Sequence, residues 1–157
     1  MESHMQVATP STEAPVSLAN VEQLLEMPLL DLVFAAAAVH REHHDPARVQ
    51  CSQLLSIKTG GCPEDCGYCS QSAHHKTPVE REPLLDVETV LTEARAAKEN
   101  GADRFCMGAA WREAKSGEEF DRVLAMVRGV KELGLEACAT LGMVNKQQAE
   151  KLEQAGL

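Results

Sequence analysis

The chain is poor in aromatic residues: one Trp, one Tyr and three Phe make up 3% of its 157 residues. A core must therefore be built mainly from Ala, Leu, Val and Met, which favours helices packed against short strands. Basic residues are also scarce, because 15 Lys and Arg stand against 24 Asp and Glu, for a formal net charge of −9. No basic patch is available to neutralise a phosphate backbone, so we expect no nucleic-acid partner.

Long apolar runs are missing as well. The longest, residues 29–39, is interrupted by Asp31 and is shorter than the eighteen or so apolar residues of a membrane span. Residues 1–17 are rich in Ser, Thr, Pro and Ala, and they lack both the apolar segment of a secretory signal and the Arg of a transit peptide. We therefore expect no membrane association, a cytoplasmic location, and a disordered tail over residues 1–17.

Residues 18–48 are predicted to form N-terminal helices that precede the main fold. Apolar residues recur near helical spacing between Ser17 and His44, and Pro28 interrupts the pattern. Two short helices are therefore expected.

From residue 49 onward, strand and helix patterns alternate. Strands are predicted over 49–58, 104–107 and 135–141. Asp86 is the expected N-cap of the helix between the first two strands, and this helix ends at Asn100-Gly101.

Two further helices carry capping-box patterns. Ser116 with Glu119 predicts the start of one, which ends at Gly134, and Asn145 with Gln148 predicts the start of the other.

Alternating strands and helices favour an α/β fold with a parallel sheet. A TIM-type (β/α) barrel needs about 250 residues. We therefore expect residues 49–157 to be the first half of a truncated barrel, about three βα units long.

Three cysteines, Cys62, Cys66 and Cys69, lie within eight residues, in a glycine-rich loop after the first predicted strand. Loops at the C-terminal ends of barrel strands are where such folds place their chemistry. Structural zinc normally takes four protein ligands, whereas three thiolates suit an iron–sulfur cube with one open iron. Two alternatives stay open: a zinc loop completed by His74, His75 or Cys106, and three loop thiols without a ligand.

The spacing Cys-x3-Cys-x2-Cys, with Tyr68 before the last cysteine, resembles the signature of the radical S-adenosylmethionine (SAM) superfamily. The resemblance implies a four-iron, four-sulfur cluster on Cys62, Cys66 and Cys69. The open iron would bind SAM, whose reductive cleavage yields methionine and a 5′-deoxyadenosyl radical.

Longer blocks resemble the biotin synthases within that superfamily. They are Leu54-Leu55-Ser56-Ile57-Lys58-Thr59-Gly60-Gly61 before the cysteines, Arg104-Phe105-Cys106-Met107-Gly108-Ala109-Ala110-Trp111, and Gly134-Leu135-Glu136-Ala137-Cys138-Ala139-Thr140-Leu141-Gly142. The resemblance runs from about Leu18 to Leu157. It implies a sulfurtransferase that inserts sulfur into dethiobiotin to form biotin.

This second resemblance also implies a two-iron, two-sulfur cluster, with Cys106 and Cys138 as two of its ligands. From the residues alone, small buried thiols would be the simpler interpretation. Tyr68 and Ala109 match positions that lie against SAM in the family, and Arg104 matches either a neighbour of the second cluster or a core-edge residue. Cys51 matches no family role and is expected in the core.

The family further implies a flavodoxin- or ferredoxin-type electron donor and a homodimer at full length. The third cysteine and the arginine that complete the smaller cluster have no matching positions among these 157 residues. We therefore expect the isolated chain to be inactive as a biotin synthase. Two alternatives remain: another radical SAM enzyme of the maturase type, and a non-catalytic zinc or iron–sulfur module.

Overall fold

A computed structural model describes residues 16–157, and the tail predicted over 1–17 lies outside them except for Val16 and Ser17. The chain divides into two compact units at Val49 and Gln50, each considered by itself. The first contains helices α1 (Leu18–Glu26) and α2 (Leu29–His43).

The two N-terminal helices form as the sequence predicts. Ser17 caps α1 through a capping box with Asn20, which satisfies amide groups that the first turn leaves without partners. Pro28 precedes the first residue of α2 as its N-cap, a position where its missing N–H costs nothing. Among the described residues of these helices only Ala35 is buried.

The second unit contains three strands, each followed by a helix. In chain order these are β1 (Ser52–Lys58), α3 (Val87–Glu99), β2 (Arg104–Ala109), α4 (Glu118–Glu132), β3 (Glu136–Thr140) and α5 (Lys146–Ala155). The strands form one parallel sheet in the order β1-β2-β3. The predicted α/β fold of three βα units is therefore confirmed, as a sheet that is not closed.

The two faces of the sheet differ because side chains alternate along a strand. Ile57, Phe105 and Met107 are fully buried in the core; α3 and α4 pack against the same sheet, and α5 packs against α4. On the opposite face, Leu54 is 71% exposed and stands beside Cys106 in the strand register. One face thus belongs to the core, while the other is open.

Local signals account for most of the boundaries. The Asp86 carboxylate accepts the amide N–H of Thr89 at 2.9 Å, as an N-cap should, and this bond holds the pKa of Asp86 below its ordinary value. Asn145 and Gln148 form the predicted capping box of α5. Gly156 ends that helix with a φ of +100°.

Two predictions about local structure are wrong. The capping box at Ser116 does not form: α4 begins at Glu118 after Gly117, and the Ser116 hydroxyl instead accepts a bond from the Gln148 amide at 3.2 Å. Cys51 is exposed rather than in the core, because it precedes β1, where its carbonyl accepts the N–H groups of Asp103 and Arg104.

Candidate functional site

A cavity of about 460 Å³ opens at the carboxyl ends of the three strands. The loop after β1 contributes Cys62, Cys66 and Cys69 to its wall. The ends of β2 and β3 and their loops complete the lining with Gly108, Ala109, Ala110, Trp111, Arg112, Thr140, Gly142 and Met143. The three predicted cluster ligands therefore face one space with residues from every strand of the sheet.

The three thiols differ in exposure. Cys62 is buried, Cys69 is half-buried and Cys66 is exposed. A turn closed by the Cys69 N–H on the Cys66 carbonyl at 3.0 Å keeps the last two close together. A donor set of three cysteines around one open cavity fits a four-iron cube in which three irons each take one thiolate and the fourth stays open.

A mononuclear zinc site fits less well. Zinc would hold its thiolates at about 3.8 Å from one another, given Zn–S bonds of about 2.3 Å in a tetrahedron. Within residues 16–157, no three Cys, His, Asp or Glu side chains are grouped closely enough to hold one metal ion. The histidines proposed to complete such a site contact backbone oxygens instead: His74 Nε2 lies 3.2 Å from the Pro63 carbonyl and His75 Nε2 3.0 Å from that of Cys66.

Two further cysteines form a pair on the open face of the sheet. Cys106 of β2 stands directly opposite Cys138 of β3, and both are half-buried. Burial raises the pKa of the Cys106 thiol, and the neighbouring Cys138 raises it further. The structure thus brings together the two residues that the resemblance to biotin synthases implies for a second cluster.

An ion pair lies two residues before this thiol pair in each strand, and the two pairs therefore share a sheet face. Arg104 Nη2 contacts the Glu136 carboxylate at 2.6 Å, which lowers the pKa of Glu136 and raises that of Arg104. Gln50 donates to the second carboxylate oxygen of Glu136 at 2.6 Å. Arg104 Nε is buried and has no hydrogen-bond partner among the described residues.

The loops after β2 and β3 form the rim of the cavity. The Met143 N–H donates to the Arg112 carbonyl at 2.9 Å, and the Arg112 guanidinium pairs with Glu64 of the cysteine loop at 2.9 Å. Gly142 has a φ of +72° and lies against the carbonyl oxygens of Trp111 and Arg112, where a Cβ would come within 2.5 Å of both. The three loops therefore support one another.

The remaining predicted site residues fall in different places. Ala109 lines the cavity, and the segment Gly108-Ala109-Ala110 offers backbone groups there rather than a carboxylate. Tyr68 is 95% exposed and does not line this cavity. Its assignment to SAM stays a prediction.

Several residues of the site are not predicted from the sequence. Trp111 ends the second block that resembles the biotin synthases, and Arg112 follows directly after it, but neither residue has a predicted role. His74 and His75 are predicted only as alternative zinc ligands, although their position just after the cysteine motif indicates that they lie near it. These residues meet through contacts between separate loops, and such contacts produce no local pattern in the sequence.

Comparison with known proteins agrees with this geometry. The family model of the radical SAM superfamily matches residues 56–157, which is most of the second unit. The chain belongs to the radical SAM superfamily.

Within it, the chain is similar to curated biotin synthases. It is 66% identical over 142 residues to the biotin synthase of Methylobacterium sp. (strain 4-46), across 90% of this chain and 43% of that protein. It is 59% identical over 158 residues to the biotin synthase of Methylobacterium nodulans, across 98% of this chain and 47% of that protein. The chain thus spans less than half the length of these relatives.

A solved structure supports the fold. The crystal structure of HydG, a maturase of the [FeFe]-hydrogenase, superposes with a TM-score of 0.62 at 17% identity, across 88% of this chain and 31% of HydG. This likeness shows the shared fold.

Membership of the superfamily implies a four-iron, four-sulfur cluster and SAM as cofactors. Among the described residues, none of the helices has the length and apolar content needed to cross a membrane.

Proposed function

We propose that this chain carries the radical-generating part of a biotin synthase, which inserts sulfur into dethiobiotin. The observation that carries the proposal is one open sheet face with two cysteine sets: Cys62, Cys66 and Cys69 at its carboxyl end, and Cys106 opposite Cys138 beneath. The identity to curated biotin synthases supports this assignment.

Cys62, Cys66 and Cys69 are proposed to hold the four-iron cluster, because three thiolates leave one iron open. Held by these residues and reduced, such a cluster would supply the electron that cleaves SAM into methionine and a 5′-deoxyadenosyl radical. Ala109 at the cavity wall and Tyr68 in the cysteine loop are assigned to contacts with SAM. Ala109 has no polar side chain, so it contributes an apolar surface and its backbone groups.

Cys106 and Cys138 are proposed as two ligands of the two-iron cluster. Their opposed register supports the assignment, because neighbouring strands lie about 4.8 Å apart. The free Nε–H of Arg104 offers a hydrogen bond beside the two thiols, and Glu136 holds the guanidinium in place. A cluster there would lie below the proposed SAM site on the same open face.

The remaining assignments concern the whole protein. The substrate is dethiobiotin, the reductant is a flavodoxin- or ferredoxin-type protein, and two copies form a homodimer at full length in the cytoplasm. This chain spans less than half of its relatives, so sulfur insertion is assigned to a protein of their full length.

Anaerobic reconstitution of the chain with iron and sulfide tests the first step. We expect four irons per chain on the three-cysteine site, and formation of methionine and 5′-deoxyadenosine when SAM and dithionite are added. Cys62→Ser, Cys66→Ser and Cys69→Ser should each abolish the cleavage. Cys51→Ser is the matched control, because this cysteine is exposed and lies before β1.

Other results would overturn the proposal. One tightly bound zinc and no SAM cleavage would identify a metal-binding module instead. SAM cleavage by a full-length protein that has no second iron–sulfur centre and leaves dethiobiotin unchanged would identify another radical SAM enzyme.

A further inference from the structure

Four side chains that follow the cysteine motif donate hydrogen bonds back to its main chain. The Ser72 hydroxyl donates to the Glu64 carbonyl at 2.6 Å, and the Thr77 hydroxyl donates to the Ser70 carbonyl at 2.7 Å. His74 Nε2 donates to the Pro63 carbonyl at 3.2 Å, and His75 Nε2 donates to the Cys66 carbonyl at 3.0 Å. Both histidines must carry the proton on Nε2, since a carbonyl oxygen only accepts. We call Ser72, His74, His75 and Thr77 the carbonyl clamp.

The clamp is anchored beside the first cysteine. The Cys62 N–H donates to the Gln71 carbonyl at 3.0 Å, and the Ala73 N–H donates to the Cys62 carbonyl at 2.8 Å. Ser72 lies between these bonds and is buried, with 5% of its surface exposed. The hydrogen bond of a hydroxyl buried this far stabilises the folded chain, and losing the bond would lower the free energy of unfolding.

Holding the carbonyls also sets the direction of the neighbouring amides. The peptide bonds of residues 16–157 are all trans, so the N–H of each following residue points away from the clamped oxygen. The four amides concerned belong to Glu64, Asp65, Gly67 and Gln71, and none of them donates to a protein acceptor among the described residues. Glu64 and Gln71 line the cavity together with the three cysteines.

Four N–H donors without a protein acceptor among the described residues thus lie in the same loop as three thiols. Thiolate and sulfide sulfurs can accept from such donors, and hydrogen bonds to the sulfurs are one of the factors that set the potential of an iron–sulfur cluster. A carbonyl turned toward the same anionic group would instead be repelled. The clamp therefore favours the orientation that an iron–sulfur cluster needs.

We propose that Ser72, His74, His75 and Thr77 are positioning residues, which hold four loop carbonyls outward so that the paired amides are free to donate to cluster sulfurs. The inference rests on the proposed cluster at Cys62, Cys66 and Cys69. It assigns a role to two histidines through their bonds to backbone carbonyls; His75 Nε2 also lies 3.6 Å from the Asp65 carboxylate.

The test compares variants of the anaerobically reconstituted chain at a single pH. His75→Ala removes one donor, whereas His75→Gln keeps an N–H that can reach the same carbonyl. His43→Ala in α2 is the matched control, since it removes a histidine from the other unit. The measurements are the midpoint potential of the cluster, followed by electron paramagnetic resonance, and the rate at which a chelator removes iron.

We expect His75→Ala to give a more negative midpoint potential and to lose iron about tenfold faster, the scale typical of removing an outer-shell partner. His75→Gln should recover both properties, and His43→Ala should match the parent. Thr77→Ala provides a second variant if His75→Ala fails to fold, because Thr77 is only partly buried.

The outcomes separate this inference from the proposed function. A parent chain that forms no iron–sulfur cluster would overturn both. A parent that forms the cluster, with the same potential and iron release in His75→Ala and Thr77→Ala, would overturn the clamp alone. Faster iron release with an unchanged potential would show a structural brace and would also overturn the proposed control of the sulfurs.

Discussion

Cys106 and Cys138 stand directly opposite each other on neighbouring parallel strands. The register puts Leu54 of β1 beside Cys106, so a row of three side chains crosses the open face of the sheet. Fully buried Phe105 and Met107, which flank Cys106 in β2, point into the core. The alternation of a strand thus places both thiols on the surface that faces the proposed chemistry.

The Cys106 thiol should react slowly with alkylating reagents near neutral pH. Burial and the neighbouring thiol raise the pKa of Cys106, so its thiolate is scarce until the pH exceeds the ordinary cysteine range of about 8.5. Iodoacetamide labelling of the metal-free chain, followed by mass spectrometry, should modify exposed Cys51 and Cys66 first. The labelling of Cys106 should increase steeply at alkaline pH. Equal rates for Cys106 and Cys51 at neutral pH would contradict the prediction, and the chain unfolded in urea gives the reference rates.

Glu136→Gln should make stability less dependent on acid pH. Its pair with Arg104 and its bond from Gln50 lower the pKa of the Glu136 carboxyl. The folded state therefore gains stability above the ordinary glutamate pKa, and this gain is lost as the pH falls through the lowered pKa. Urea unfolding from neutral to acid pH should show a smaller loss of stability in Glu136→Gln than in the parent. Glu153→Gln, which removes an exposed carboxylate that forms no ion pair among the described residues, should keep the slope of the parent.

The parts of the fold that were predictable depend on contacts between near neighbours in sequence. Asp86 bonds to Thr89 three residues away, and Asn145 bonds to Gln148, so each cap is visible in a window of four residues. The cysteine spacing is equally local. The failure at Ser116 shows the limit, because its hydroxyl is engaged by Gln148, 32 residues away, and the local box does not form.

Most of the site is built from contacts between residues that are distant in sequence. Arg112 pairs with Glu64 across 48 residues, and the opposed positions of Cys106 and Cys138 depend on the register of two strands. Alternation along a strand constrains which face a residue occupies, but it does not reveal its neighbour on the next strand. Cys51 illustrates the same point: it matches no family role and is therefore predicted in the core, whereas its place before β1 leaves it exposed.

Gly142→Ala should destabilise the chain more than Gly101→Ala. Both glycines have a positive φ, which costs other residues about 1–2 kcal/mol. A Cβ at Gly101 would meet open space, whereas at Gly142 it would come within 2.5 Å of two carbonyl oxygens. Backbone oxygens cannot rotate away, so the loop after β3 must shift. Urea unfolding should therefore show that Gly101→Ala lowers the free energy of unfolding by about 1–2 kcal/mol and that Gly142→Ala lowers it by clearly more. Equal losses would contradict the prediction, because they would mean that the loop after β3 moves without cost.

The difference between the two sheet faces can be tested with one truncation on each. Met107 is fully buried against the helices, so Met107→Ala should cost about 2–5 kcal/mol in the free energy of unfolding. Leu54 is 71% exposed on the face that carries the paired cysteines, so Leu54→Ala should cost less than about 0.5 kcal/mol. Urea unfolding monitored by circular dichroism measures both values at the same protein concentration. A large cost at Leu54 would show that the open face is covered in solution, and a cost that increases with protein concentration would identify a second copy as the cover.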